Sequence, residues 1–376
     1  MRKLLTIALV LALSASITST ASAATKKTNS FSVTQKIVYV GLTPTSEPDF
    51  WTSKSEESAT VVSDGDMLAF AKVTVANAAA FWKRASSNKL KFGTPTFFIG
   101  KAGTAIKRCN SSADIKAAMK IAGMKSIPVG THLVVANTET NCGWAGLGAQ
   151  RGNTVSLATL GTTTLVHELG HNFGYLHSSA LYCKNSDFKN FNAKNCSVDE
   201  YGDFRDLMGN DEWCPNATLS ATQRATVFGT PIAKELKLRA INTVDQSSAN
   251  SDNLVYELNY KGVWYFFEYY NPGRDRCMTV SSISYTPEIQ VRMLGPDWTT
   301  AKLSAAGPAV ISREEEDLPA PVIVPTDDGI IHLGPSGGWT LRGFKAGETF
   351  QLPGTTLQLK VLTTDPGSAT FSVSNG

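Results

Sequence analysis

The eleven residues His167-Glu168-Leu169-Gly170-His171-Asn172-Phe173-Gly174-Tyr175-Leu176-His177 constrain this chain more than any other stretch. Histidines four apart on a helix stand on one face, because the helix repeats about every 3.6 residues. His167 and His171 can therefore grip one metal ion together. Glu168 follows the first of them, so its carboxylate lies toward the open side of such an ion, where a water molecule would sit and a general base is useful. Gly174 accepts a left-handed backbone and ends the helix without steric cost. The chain then turns back, and His177 completes a set of three nitrogens. Three protein ligands leave a fourth position open, which distinguishes a catalytic zinc from a structural one. The short string from His167 to His171 alone would suit a surface helix. With only five histidines in 376 residues, the full string argues for a zinc site.

Met1-Arg2-Lys3, an apolar run from Leu4 to Leu13 and the small residues Ala21-Ser22-Ala23 have the form of a secretory signal cut after Ala23. Residues 1–23 are read as that signal, and the mature chain is expected to be secreted, extracellular or at the cell surface. No later stretch approaches the 18 or so apolar residues of a membrane span. The formal charge of +3 loses Arg2 and Lys3 with the signal, so nothing favours nucleic acid or an anionic membrane as partner. Six cysteines, Cys109, Cys142, Cys183, Cys196, Cys214 and Cys277, suit three disulfides in an exported chain, and no CxxC pair suggests a second zinc. The favoured pairing is Cys183 with Cys196, which closes a short loop, Cys109 with Cys142, and Cys214 with Cys277.

Along the chain, Phe31 to Thr43 is β-branched and aromatic and reads as a strand. Asp64 opens an amphipathic helix that runs past Trp82, with Phe70, Phe81 and Trp82 as core residues. Leu90 to Ile99 and Thr131 to Ala136 read as strands, with a helix from Ser112 to Gly123 between them. The stretch Cys142-Gly143-Trp144-Ala145-Gly146-Leu147-Gly148 is too glycine-rich for regular structure, and Thr154 to Leu160 alternates as an edge strand would. An edge strand beside a metal cleft can pair with an extended peptide. The metal helix is expected over Thr163 to Phe173, and one more helix over Thr218 to Phe228. Beyond residue 238 only short strands remain: Leu254 to Tyr260, Val263 to Tyr270, Ile289 to Leu294, Ala309 to Ser312, Gly329 to Leu333, Thr355 to Leu362 and Ala369 to Val373. That spacing suggests an antiparallel β-sandwich. The length allows two domains, 24–238 around the metal helix and 239–376 rich in β.

The string HELGHNFGYLH, followed farther on by Leu207-Met208-Gly209, resembles the metzincin zinc endopeptidases. Within them the chain is most similar to the gametolysin-like family, through CGWAGLG before the helix and EYGDFRDLMG after it. The resemblance implies an α+β fold: a twisted mixed sheet, mostly parallel, with an active-site helix and a methionine turn beneath the metal. It assigns His167, His171 and His177 to zinc, Glu168 to catalysis and Met208 to the supporting turn. A polarizable thioether suits that place under three imidazoles. Family members act on extracellular glycoproteins, cell-wall proteins among them, so the implied partner is a protein or peptide substrate. Two departures stand out. Asn210 stands two residues past the methionine, where some metzincins carry a metal-reaching tyrosine, and no cysteine precedes Cys109 to act as a latency switch.

The expected activity is that of a secreted zinc endopeptidase in which Glu168 activates water at the zinc. A secreted binding or adhesion protein on a zinc-stabilised scaffold without turnover, or a hydrolase of another bond, are the alternatives. An intact Glu168 speaks against the first, since structural zinc needs no carboxylate there. His132 and His332 are expected to be structural or exposed, Tyr175 and Tyr201 are candidates to face the cleft, and Glu314 to Asp317 reads as a solvated acidic loop rather than a calcium site. Oligomeric state is not legible.

Overall fold

β1 (Lys36–Thr43) is a near-continuous apolar run buried from Ile37 to Leu42, as befits a strand paired on both edges and covered on both faces. The computed structural model describes residues 34–43, 64–101, 110–137, 142–178, 180–183, 196–199, 201, 206–209, 219–228, 233, 236–241, 254–261, 263–270, 288–294, 322–324, 343–352 and 354–376. β1 pairs in parallel with β2 (Thr96–Lys101) and β3 (Thr131–Asn137). β5 (Thr154–Leu157) continues in parallel beside β3, and β4 (Gly146–Gly148) closes the sheet antiparallel to β5, in the order β2-β1-β3-β5-β4.

Side chains alternate across this sheet. Ile37 and Tyr39 enter one core with α1 (Asp64–Ala85) and α3 (Thr162–Asn172), while Val38, Val40 and Leu42 enter the other with α2 (Ser111–Ile121). α1 begins with Asp64 and Asp66 and ends with Lys83 and Arg84, matching the helix dipole at both ends. Its buried stripe Met67, Ala71, Val75, Ala78, Trp82 follows the helical period. Trp82 is fully enclosed, and its indole N–H donates to the Val166 carbonyl of α3 at 3.1 Å. Phe81 packs against the same core from a half-buried position. Asn110 caps α2 by accepting from the Ala113 N–H at 3.0 Å.

The strand expected over Leu90 to Ile99 starts only at Thr96, with Phe92 limited to a single bridge to Gln35. Thr154 to Leu160 is shorter than expected and lies inside the sheet, not at its edge. The edge is β4, within the glycine-rich stretch that composition alone excludes from regular structure.

The second sheet comprises β6 (Ala180–Cys183), β7 (Cys196–Asp199), β8 (Lys237–Ile241), β9 (Val255–Tyr260), β10 (Val263–Tyr270), β11 (Glu288–Leu294), β12 (Val322–Val324), β13 (Thr349–Gln351), β14 (Leu357–Asp365) and β15 (Ser368–Asn375). Its order is β13-β14-β15-β8-β10-β11-β12-β6-β7, with β9 also on β10. Pairing is antiparallel except at β8·β10 and β12·β6. Tyr265, Phe267 and Tyr269 of β10 share a core with Leu359, Val361 and Phe371 of β14 and β15. The Phe267 and Phe371 rings stack at 5.0 Å, so the two wings of strands close on each other through β8. β8 spans position 238, and β6 and β7 join this sheet from well before it. α4 (Ala221–Phe228) starts three residues later than expected and packs on β10 and β9. The chain is thus α+β, a mixed sheet with helices followed by mainly antiparallel strands. Among the described residues no helix is long and apolar enough to cross a membrane. Residues 1–23 and the strands expected at Ala309 to Ser312 and Gly329 to Leu333 lie outside the described residues.

Candidate metal centre

α3 ends as its sequence dictates. Gly174 has φ of +97°, a region glycine enters without steric cost. Its N–H donates to His171 O at 2.9 Å, and the Tyr175 N–H reaches back to Gly170 O at 3.0 Å. These two bonds form a Schellman motif, which satisfies the last carbonyls of the helix and reverses the chain. The reversal carries His177 back beside the helix. One ring nitrogen from each of His167, His171 and His177 lies within 4.8 Å of the others, and the ring centroids are 4.7 to 5.4 Å apart.

Two of the rings are fixed from behind. His167 Nδ1 donates to Leu207 O at 2.8 Å and His171 Nδ1 donates to Tyr175 O at 3.0 Å, which leaves Nε2 of each as a lone-pair donor. Burial lowers the His167 pKa, with the Leu207 hydrogen bond opposing it. Burial, reinforced by neighbouring His167, lowers that of His177 to about 3. Neutral imidazoles are the form that ligates a metal. Three imidazole nitrogens with no thiolate among them suit zinc, and the donor set fits the ion the sequence implies.

The turn that backs His167 is itself clamped. Asp206, fully buried, accepts from the Met208 N–H and the Ser220 N–H at 2.8 Å each through its two carboxylate oxygens. Met208 is fully buried with its sulfur against Gly170, where an added Cβ would lie only 2.5 Å from Sδ. The methionine therefore sits under the helix between the two ligand-bearing turns. Its carbonyl accepts from the Ser178 N–H at 2.7 Å, tying it to the segment that carries His177.

Glu168 is 6 % exposed, packed beneath β4. A Cβ at Gly146 would lie 2.6 Å from both its Cγ and Oε1, so only glycine lets the edge strand approach this closely. Tyr201 lies against two of the histidines. Its ring centroid is 3.9 Å from His177 and 6.4 Å from His167, yet the residue is 41 % exposed. It is an exposed ring against two of the histidines, whereas Tyr175 is buried against Trp82 at 5.5 Å. His132 is enclosed in the core, its ring nitrogens bonded to Gln35 at 2.9 Å and Asn172 at 3.1 Å. His332, Asn210 and Glu314 to Asp317 lie outside the described residues.

Sequence reasoning brought together His167, Glu168, His171, His177 and Met208. It missed Asp206, a carboxylate buried within the turn, and the two β4 glycines. It also missed Glu268, the one charge of the apolar strand VWYFFEYY, and Arg292, the charge in the interior of EIQVRML. A lone charge in such a run signals a buried partner.

A family model described as gametolysin peptidase M11 matches residues 58–251, more than half of the chain and inclusive of every residue of the histidine cluster. No curated protein matches the chain.

Proposed function

The chain belongs to the gametolysin peptidase M11 family, and from that premise we propose that it is a secreted zinc-dependent endopeptidase acting on extracellular or cell-wall proteins. The observation that carries the reading is the convergence of His167, His171 and His177 nitrogens within 4.8 Å, with Glu168, the residue after His167, packed under β4. In this reading the three histidines hold one zinc ion. An ion so held supplies a Lewis-acid site for the scissile carbonyl and acidifies water toward a pKa of about 7.

The remaining work falls to the chain. Glu168 takes the proton of the attacking water and returns it to the leaving amine, and its burial keeps competing solvent away. β4 offers its outer edge to an extended substrate, main chain against main chain. This role passes from the 154–160 strand to β4, since β5 is enclosed between β3 and β4. Met208 and the Asp206 clamp form the methionine turn of the metzincin arrangement, holding the floor of the site rigid. The leader at 1–23 delivers the chain outside the cell, with the peptidase part over 24–238 and the β-rich part over 239–376.

The test is release of fragments from unfolded casein by the purified chain, before and after a chelator and after zinc is restored. Cleavage abolished by chelation and recovered with zinc is expected. A purified, folded chain that cleaves equally well after the metal has been stripped would overturn the zinc mechanism. Failure of the zinc-loaded chain to cleave would favour the adhesion reading.

A further inference from the structure

The C-terminal sheet contains a charged pair that its own packing does not require. Glu268 of β10 and Arg292 of β11 are both fully enclosed, with Arg292 Nε 3.3 Å from Glu268 Oε1. Tyr265, Phe267 and Tyr269 fill the core of the sheet, and strand alternation sends Glu268 to the opposite face, toward α4. There Glu268 Oε1 accepts from the Thr222 N–H at 2.6 Å and from the Thr222 hydroxyl. Arg292 Nη1 donates to Ser178 Oγ at 3.1 Å. Ser178 directly follows His177.

From Ser178 the hydrogen bonds close a ring. Its N–H donates to Met208 O, the Met208 N–H donates to Asp206, and the other Asp206 oxygen takes the Ser220 N–H. Two residues on, Thr222 leads back to Glu268 and Arg292. A buried ion pair contributes little net stability, because desolvating the two charges consumes most of their attraction, and an apolar pair of similar volume often does as well. Its position argues for geometry instead. His167 and His171 are held by one helix and by carbonyls behind their rings. His177 lies past the helix, on backbone whose next residue is anchored by Met208 and Arg292.

We infer that Glu268 and Arg292 are positioning residues of the metal centre, through which the C-terminal sheet fixes Ser178 and thereby the third ligand, His177. The inference rests on the reading that the three histidines hold a metal. It makes the C-terminal sheet part of the metal site's framework rather than a detachable module.

Arg292→Ala would strand Glu268 without its partner and threaten folding, so the test uses milder changes in the full chain. Ser178→Ala removes the link between the pair and the His177 segment. Thr222→Val removes one hydrogen bond to the same pair and leaves the link whole, since the Thr222 N–H remains. Zinc affinity is read by competition with a chromophoric chelator, and ligand geometry by the visible absorption of the cobalt(II)-loaded protein. Both variants are expected to lower the melting temperature of the metal-free chain. Only Ser178→Ala should weaken zinc, by about tenfold as for other residues that orient ligands from behind, and alter the cobalt bands. Zinc binding by Ser178→Ala within twofold of wild type, or equal weakening in both variants, would overturn the inference alone. A wild-type chain that takes up neither ion would overturn the three-histidine reading beneath it.

Discussion

Replacing Gly146 with alanine adds one methyl group where β4 lies against the Glu168 side chain of α3. Its Cβ would lie 2.6 Å from Cγ and Oε1 of Glu168 and 2.8 Å from Cδ. Carbon contacts are comfortable at about 3.5 to 4.0 Å, so the carboxylate must retreat by roughly 1 Å. The atoms struck belong to a flexible side chain, so the fold and the histidine cluster should persist. Misplacing a catalytic group by about 1 Å costs on the order of 10²-fold in rate, or about 2.7 kcal/mol of transition-state stabilisation. Gly148 provides the contrast. There an added Cβ would lie 2.2 Å from the Glu168 carbonyl oxygen, so backbone must part from backbone and the whole α3·β4 contact weakens. The assay compares kcat/KM on a casein-derived peptide with zinc content and melting temperature. Gly146→Ala should lose turnover about 10²-fold while keeping its zinc, and Gly148→Ala should lose stability as well. Turnover of Gly146→Ala within twofold of wild type, or loss of its zinc together with its activity, would refute the placement of Glu168 under β4.

Glu168→Gln keeps the shape of the side chain but removes the base, so zinc binding and fold should survive while turnover falls by about 10² to 10⁴-fold. Burial lowers the His132 pKa to about 4, whereas the unfolded chain protonates this residue near 6.5. The folded state therefore has its full stability above pH 6.5 and loses about 3 kcal/mol as the pH falls to about 4. Urea midpoints measured across that range should decline less steeply in His132→Gln, and equal slopes would sink the assignment. Cys183 and Cys196 are opposed Cα partners across β6·β7, a separation a disulfide can span. Peptide mapping without reduction should recover them as one linked pair, and a free thiol at Cys183 would exclude it.

What the sequence shows and what it hides divide along physical lines. α3 is legible because its signals are local: ligand spacing, the Gly174 turn and the returning His177 all lie within one short stretch. β1 and β3 are legible as apolar runs, since a strand covered on both faces has few polar residues to interrupt it. β4 is not, because glycine is a poor strand former on propensity, and what demands it is the approach of Glu168 and His171 from a helix elsewhere in the chain. The core role of Trp82 follows from helical spacing, but its bond to Val166 does not. Asp206 reads as one of several acids in a polar loop until two backbone N–H groups are seen to converge on it. The Glu268, Arg292 and Ser178 contacts join residues far apart in sequence. Local pattern can signal that a buried partner exists, but not which residue it is. The pairing of β6 with β12 is hidden for the same reason.

The most direct measurement is the zinc content of the purified full-length chain by elemental mass spectrometry, with His171→Ala measured alongside. One zinc per wild-type chain is expected, and little or none in His171→Ala, because two imidazoles alone make a poor site. A folded, proteolytically active wild-type chain carrying no transition metal would contradict the assignment of His167, His171 and His177 as ligands.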